Sequence, residues 1–170
     1  MARYGKRRRY LLYTLCMLFS NAVSRSYSPY RGQFDAARII EMIKEKDPCR
    51  PADHASGWFD QKAGDFVSAH NYFRSLKVKV NHKRALIISK YGGYACHIPV
   101  PSSVDHIYGY KKFSSPAQLS KAFHQLIRES LIPLESQGLS GAVYTQLSDM
   151  AKEVNGLVTC DRRVVKINPL

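Results

Sequence analysis

Ser89-Lys90 stands between four consecutive apolar residues, Ala85-Leu86-Ile87-Ile88, and the turn sequence Tyr91-Gly92-Gly93-Tyr94. An apolar run this short, bounded by Lys83-Arg84 and by paired glycines, has the pattern of a strand buried on both faces. Strands of that type belong to parallel sheets. The run therefore predicts a strand over 85–90 with a hydroxyl and an ammonium at its carboxyl end. In α/β barrels the carboxyl ends of the strands are where chemistry is placed. The competing reading is a core strand whose lysine reaches out to solvent.

The same arrangement recurs along the chain. Residues 65–73 read as a strand with a polar-aromatic end at His70-Asn71-Tyr72-Phe73, and 141–146 as one with Tyr144, Thr145 and Gln146 at its end. Residues 50–58 read as a strand closing on Gly57 and the only tryptophan, Trp58. Four strand ends thus carry imidazole, amide, hydroxyl, ammonium and aromatic groups. Asp53, Asp60, Asp65 and Asp149 are the nearby carboxylates. The cysteines, Cys16, Cys49, Cys96 and Cys160, are widely spaced, and without a C-x-x-C pair a zinc site has no sequence support. Isolated thiols are expected.

Two helices must position these strands. Ala36, Ile39 or Ile40, and Ile43 recur at helical spacing over 36–46, with Asp35 at the positive end of the dipole and Asp47-Pro48 as the stop. Leu119, Ala122, Phe123, Leu126 and Ile127 line one face of a second helix over 117–131. Ser114 or Ser115 caps it, Pro116 opens it, and Pro133 bends or ends it. Between them, 96–110 reads as a long loop containing Pro99, Pro101 and Gly109. After a turn at Asn155-Gly156, the tail holds two short apolar runs, at 157–159 and 164–167. The order helix, strand, strand, strand, helix, strand is part of a β/α alternation.

At 170 residues with 45% hydrophobic and 23% charged content, the chain has the composition of one globular domain. The net charge of +13 is uneven. Residues 1–31 carry seven basic and no acidic side chains, which leaves 19 of the 26 basic and all 13 acidic residues, a net +6, for the rest. Within that first segment a basic cluster, Lys6-Arg7-Arg8-Arg9, precedes an apolar run over 10–19 and a small-residue exit, the outline of a signal peptide. The run is short for a membrane span, which takes about 20 apolar residues. The alternatives are a buried element with a basic tail, or a stretch foreign to the domain that begins near Gly32. Basic association with a membrane or with nucleic acid rests on residues 1–24 alone, and no downstream basic stripe or reader motif supports it.

Five motifs, in order and at natural spacing, carry a resemblance. These are Gly32-Gln33-Phe34-Asp35-Ala36-Ala37, His54-Ala55-Ser56-Gly57-Trp58-Phe59-Asp60-Gln61, His70-Asn71-Tyr72-Phe73, Ser89-Lys90-Tyr91-Gly92-Gly93-Tyr94, and Gly141-Ala142-Val143-Tyr144-Thr145-Gln146-Leu147-Ser148-Asp149. Together they resemble the C-terminal half of the catalytic barrel of family 2 glycoside hydrolases, the relatives of β-galactosidase, β-glucuronidase and β-mannosidase. The tail from Glu153 to Arg163 is similar to the end of bacterial members. The resemblance divides the chain into an atypical basic segment, 1–31, and a partial barrel domain, 32–170.

It implies an α/β fold that is part of a (β/α)₈ TIM barrel, with 50–58, 66–72, 85–90 and 139–145 as strands five to eight. It also implies a lineage of retaining β-glycosidases, which need two glutamates about 5–5.5 Å apart. The family's nucleophile motif, Ser-Glu-Phe/Tyr-Gly-Gly, has Lys90 at the glutamate position here. Its acid/base motif, Asn-Glu-Gly-Trp-Gly-Gln-Phe-Asp, has Pro29 at that position. Neither residue performs the chemistry, so the chain as written is expected not to hydrolyse glycosides. The substrate-binding positions implied are Trp58, Tyr72, Tyr91 and Tyr144, stacking on sugar faces, and His70, Asn71 and Asp149, bonding hydroxyls. The resemblance implies a β-glycoside carbohydrate as partner. No cofactor or metal is demanded, and neither nucleic acid nor a membrane is expected as a partner. A half-barrel leaves two open edges, so a second copy or a complementing chain is expected to cover them. The compartment implied is the cytoplasm, or the exterior if residues 1–24 act as a signal.

Overall fold

The structure, a computed structural model, describes residues 35–53, 60–72, 83–99 and 108–168. Pro29, Trp58, the basic segment 1–31 and the motif residues 54–59 lie outside the described residues. What is described is a mixed α/β unit built on parallel strands.

The first helix, α1 (Ala36–Lys46), has the predicted limits and buries Ala36 and Ile40, whereas Ile39 and Met42 are exposed. Asp35 caps it through backbone geometry alone, and its carboxylate lies 3.8 Å from Arg38. Three strands, β1 (Phe66–Asn71), β2 (Ala85–Gly92) and a strand at Leu139–Thr145, pair in parallel with the apolar β2 run in the middle. That middle position is why four apolar residues stand in a row, since a central parallel strand is covered on both faces. Leu86 and Ile88 are buried, as are Ser89, Tyr91 and Gly92 beyond them. Ser68 of β1 donates to Ser89 of β2 at 2.5 Å, so the two buried hydroxyls satisfy one another.

Three features differ from the sequence expectation. The strand predicted over 50–58 is not formed at residues 50–53. Pro51 has no N–H for a ladder, and Ala52 is committed to Asp65, donating to its carboxylate at 2.7 Å and accepting from its backbone N–H at 2.9 Å. Two strands were not foreseen at the flanks of the long loop: β3 (Tyr94–Cys96) and β4 (Lys111–Phe113), which pair in parallel as a second sheet. At three residues each they are too short for an alternation to register. Residues 100–107 of that loop lie outside the described residues. The Leu139–Thr145 strand is accordingly β5.

The second helical region also outruns its expected end. It runs as α2 (Pro116–Gln125), a π-helical segment at Leu126–Leu131, and α3 (Ile132–Ser136). Ser115 caps it as expected, accepting from the Gln118 N–H at 3.3 Å. Pro133 does not stop the helix. The widened turn immediately before it accommodates a residue that cannot donate to the helical ladder. The helical stretch lays Leu126, Ile127, Leu131 and Leu134 over Ile88, Tyr91, Leu139 and Ala142, and this forms the core. Each fully buried aliphatic side chain there contributes about 1.5–3 kcal/mol.

The last segment, 146–168, folds back without named strands, through isolated bridges such as Ser148 to Val158 and Val158 to Val165. Lys166 holds it. Its ammonium is fully buried and donates to the Cys96 carbonyl at 2.9 Å, the Val154 carbonyl at 3.1 Å and the Asp149 carboxylate at 2.7 Å. All three donors are used, as a buried ammonium requires. We expect Lys166→Met to lower stability by about 3–5 kcal/mol, because a nearly buried carboxylate loses its partner. Urea unfolding checks this, and an unchanged midpoint would contradict the clamp.

Candidate functional site

Parallel pairing puts the carboxyl ends of β1, β2 and β5 side by side. His70 stands opposite Lys90, Asn71 opposite Tyr91, Tyr91 opposite Tyr144, and Gly92 opposite Thr145. Above this row lies a cavity of about 450 Å³. Ser89 and Lys90 come from β2, and Val143, Tyr144 and Thr145 from β5. Tyr72 follows β1, Tyr108 and Tyr110 precede β4, and Gln146, Met150, Glu153 and Asn155 come from the folded-back segment.

Glycines let the tyrosines in. Gly92 and Gly93 have φ of 84° and 64°, a region that favours glycine. A Cβ at Gly92 would collide with the Tyr144 ring, and one at Gly93 with the Tyr110 ring. Gly93 also donates to Thr145 O at 2.9 Å and accepts from the Tyr110 N–H at 3.1 Å, joining β5 to the loop. Tyr110 then stacks on Tyr72 at 4.2 Å with the rings 15° from parallel, and Tyr108 meets Tyr110 edge-on at 5.7 Å. The Tyr72 hydroxyl lies 3.3 Å from that of Thr145. On the opposite wall, the Gln146 side-chain amide donates to Asn155 at 2.9 Å and to Glu153 at 3.4 Å.

Of the residues expected at a site, Tyr72, Lys90 and Tyr144 line this cavity. His70 and Asn71 sit in the adjoining strand end without lining it. Tyr91 is in the core, 4% exposed, meeting Tyr144 edge-on at 5.5 Å; burial pushes its phenol up to about 12. Asp149 is occupied, pairing with Lys166 and accepting from Gly156 N–H at 2.8 Å. Tyr108, Tyr110, Glu153 and Asn155 were not foreseen. The Tyr108-Gly109-Tyr110 sequence, two aromatics flanking a glycine, was the available signal for the first two. Glu153 and Asn155 arrive only through the fold-back, which leaves no trace in local pattern. Among the described residues no group of three or more His, Cys, Asp or Glu side chains could hold a metal ion.

The electrostatics are mixed. Lys90 has no hydrogen-bond or ion-pair partner among the described residues. Its charge adds to burial in holding the His70 imidazole down, to about 4, so His70 is neutral at pH 7. Burial raises the phenols of Tyr72 and Tyr110, and the Glu153 charge adds to the rise in both. A neutral imidazole, neutral phenols, one carboxylate and one ammonium can bind a polar ligand, but they include no carboxylate pair. Comparison with protein-family models and with curated proteins gave no match to this chain.

Because the folded-state pKa of His70 is depressed, the unfolded chain binds the proton first as pH falls. Stability is therefore lost as pH drops from about 6.5 towards about 4 and changes no further through this group below that. Allowing for partial solvent contact, about 1–2 kcal/mol is expected to disappear over that window. His70→Gln should flatten that part of the curve when urea midpoints are measured against pH.

Proposed function

We propose that this chain descends from the C-terminal part of a family 2 glycoside hydrolase barrel and is a carbohydrate-binding remnant without hydrolytic activity. Three adjacent parallel strands, a helical layer over one face and a cavity at the carboxyl ends are what strands six to eight of such a barrel would present. The observation that carries the reading is Lys90, which lines the cavity at the position the resemblance gives to the nucleophile. Glycoside cleavage passes through an oxocarbenium-like state. An ammonium about 4 Å from that developing positive charge opposes it by about 4 kcal/mol at an effective dielectric of 20, where a carboxylate would favour it by as much. The Tyr72–Tyr110 stack and the Gln146, Glu153 and Asn155 side chains support sugar binding, since they offer an aromatic face beside hydroxyl-bonding groups. The exposed thiol of Cys49 is compatible with a reducing, cytoplasmic setting, which belongs to the same proposal. Among the described residues no helix is long and apolar enough to cross a membrane.

Aryl β-galactosides, β-glucuronides and β-mannosides are expected to show no release of phenol above the blank. Lys90→Glu alone should also give none, because the acid/base position holds Pro29. Turnover by the unaltered chain would overturn the reading.

A partial barrel leaves strand edges to be covered, and this favours completion by a second copy or another chain. Light scattering coupled to size exclusion is expected to show a dimer or larger species. A well-folded monomer across the micromolar range would remove this part of the proposal.

A further inference from the structure

Tyr108 and Tyr110 are held as a fixed pair of rings. A Cβ at Gly109, between them, would collide with Ala95 of β3, so the backbone there lies directly against the second sheet. The Tyr108 N–H donates to the Lys152 carbonyl at 2.7 Å, and the Tyr108 carbonyl accepts from the Val154 N–H at 3.3 Å, which pairs Tyr108 with Glu153 in a parallel bridge. The Tyr108 ring stands 71° from that of Tyr110 with centroids 5.7 Å apart, and Tyr72 is stacked on Tyr110 at 4.2 Å. Ring planes near a right angle form an inside corner. Tyr72, Tyr108, Tyr110 and Glu153 all line the cavity, and Tyr108 is 53% exposed, so the corner is open to solvent.

Ring faces are what this corner offers a ligand. The Tyr72 hydroxyl is engaged with that of Thr145 at 3.3 Å. Burial, with the Glu153 charge adding to it, holds the Tyr72 and Tyr110 phenols up, so both are un-ionised at pH 7. The face of an aromatic ring is electron-rich and attracts a cation. The Lys111 ammonium, next in the chain, is committed to other rings, 5.5 Å from the centroids of Tyr94 and Phe113. Lys90 also lines the cavity, but its charge acts on His70, whereas the carboxylate that acts on Tyr72 and Tyr110 is Glu153. A primary ammonium brings three donors to satisfy and a calcium ion six to eight oxygen ligands, more than one carboxylate supplies. A quaternary ammonium has no N–H and spreads its charge over methyl groups that pack on ring faces.

We propose that the corner formed by Tyr72, Tyr108 and Tyr110, with Glu153 beside it, is an aromatic cage for a quaternary ammonium group, the trimethylammonium head of a choline-like ligand. The cage does not depend on sugar binding.

The test uses choline and 3,3-dimethyl-1-butanol, which have the same shape and differ in a positive nitrogen for a neutral carbon. In calorimetric titration of the whole chain, choline is expected to bind at least about tenfold more tightly than its isostere. Tyr108→Leu, at a half-exposed ring, should remove that preference and leave the thermal midpoint unchanged. Glu153→Gln should weaken choline alone and reduce the salt dependence of its binding. Nα-acetyl-trimethyllysine amide, titrated in parallel, shows whether the same head group is preferred free or on a protein side chain, and tight binding of either supports the cage. Equal binding of choline and its isostere would overturn the cage in favour of a merely apolar pocket, and binding of neither would overturn it outright. Methyl β-D-galactoside is titrated separately. Choline bound without the galactoside would sustain the cage and count against the carbohydrate reading; the galactoside bound without choline would overturn the cage alone.

Discussion

The buried ammonium of Lys166 is the interaction on which the shape of the cavity depends. Three acceptors from three parts of the chain meet on it: the end of β3 at Cys96, the fold-back at Val154, and the turn at Asp149. The Asp149 oxygen that receives the ammonium also receives the Gly156 N–H, so one carboxylate fixes both limbs of the turn. Residue 156 must be a glycine there, because a Cβ would collide with the backbone at Ser148 and Asp149. The knot acts together with backbone bonds that tie the segment supplying Gln146, Glu153 and Asn155 to the rest of the chain, such as the Cys96 N–H to the Val154 carbonyl at 3.0 Å and the Tyr108 N–H to the Lys152 carbonyl at 2.7 Å. An ion pair out of water is costly unless every remaining donor is satisfied. Here the two carbonyls complete the coordination, so the pair orders the segment instead of straining it.

The opposite wall is set by the sheet. Parallel pairing brings like ends together, and the registers of β1 with β2 and of β2 with β5 put Tyr72, Lys90 and Tyr144 on adjoining strand ends. Two consecutive glycines with positive φ then turn the chain out of β2 and leave room for two tyrosine rings. The helical layer supports this from beneath, where Phe123 meets Tyr144 edge-on at 5.1 Å and Leu134 packs with Ile88 and Tyr91. Backbone turn, aromatic wall and core are therefore one arrangement.

Much of this was legible in the residues. Ala85-Leu86-Ile87-Ile88 announces a central strand because only such a strand needs no polar alternation. The limits of α1, and the Ser115-Pro116 start of α2, are fixed by capping chemistry that acts within four residues. What was hidden depends on distance along the chain. Glu153 reaches the cavity, and Asp149 leaves it for Lys166, through contacts made by the tail. Tyr91 looked like a neighbour of Lys90 at the site, but it packs into the core with Ile88 and Leu134 beneath the helical layer, and Leu134 is more than forty positions away. Residues 50–53 carry apolar and turn signals compatible with a strand, yet Asp65 takes both backbone groups of Ala52, a competition invisible to a local window.

A cavity of this kind can keep its form without hydrolytic chemistry. The groups that shape it, namely the glycine pair, the stacked tyrosines and the Lys166–Asp149 clamp, satisfy one another and require no bound substrate. The group at the strand end is different, because a residue lining a cavity contributes little to the core and is constrained chiefly by its ligand. If the proposed ancestry holds, an ammonium there in place of a carboxylate removes the charge suited to a developing cation while leaving packing nearly untouched. Loss of hydrolytic chemistry by this route needs no change of fold, and this is why the proposed ancestry is compatible with an intact cavity.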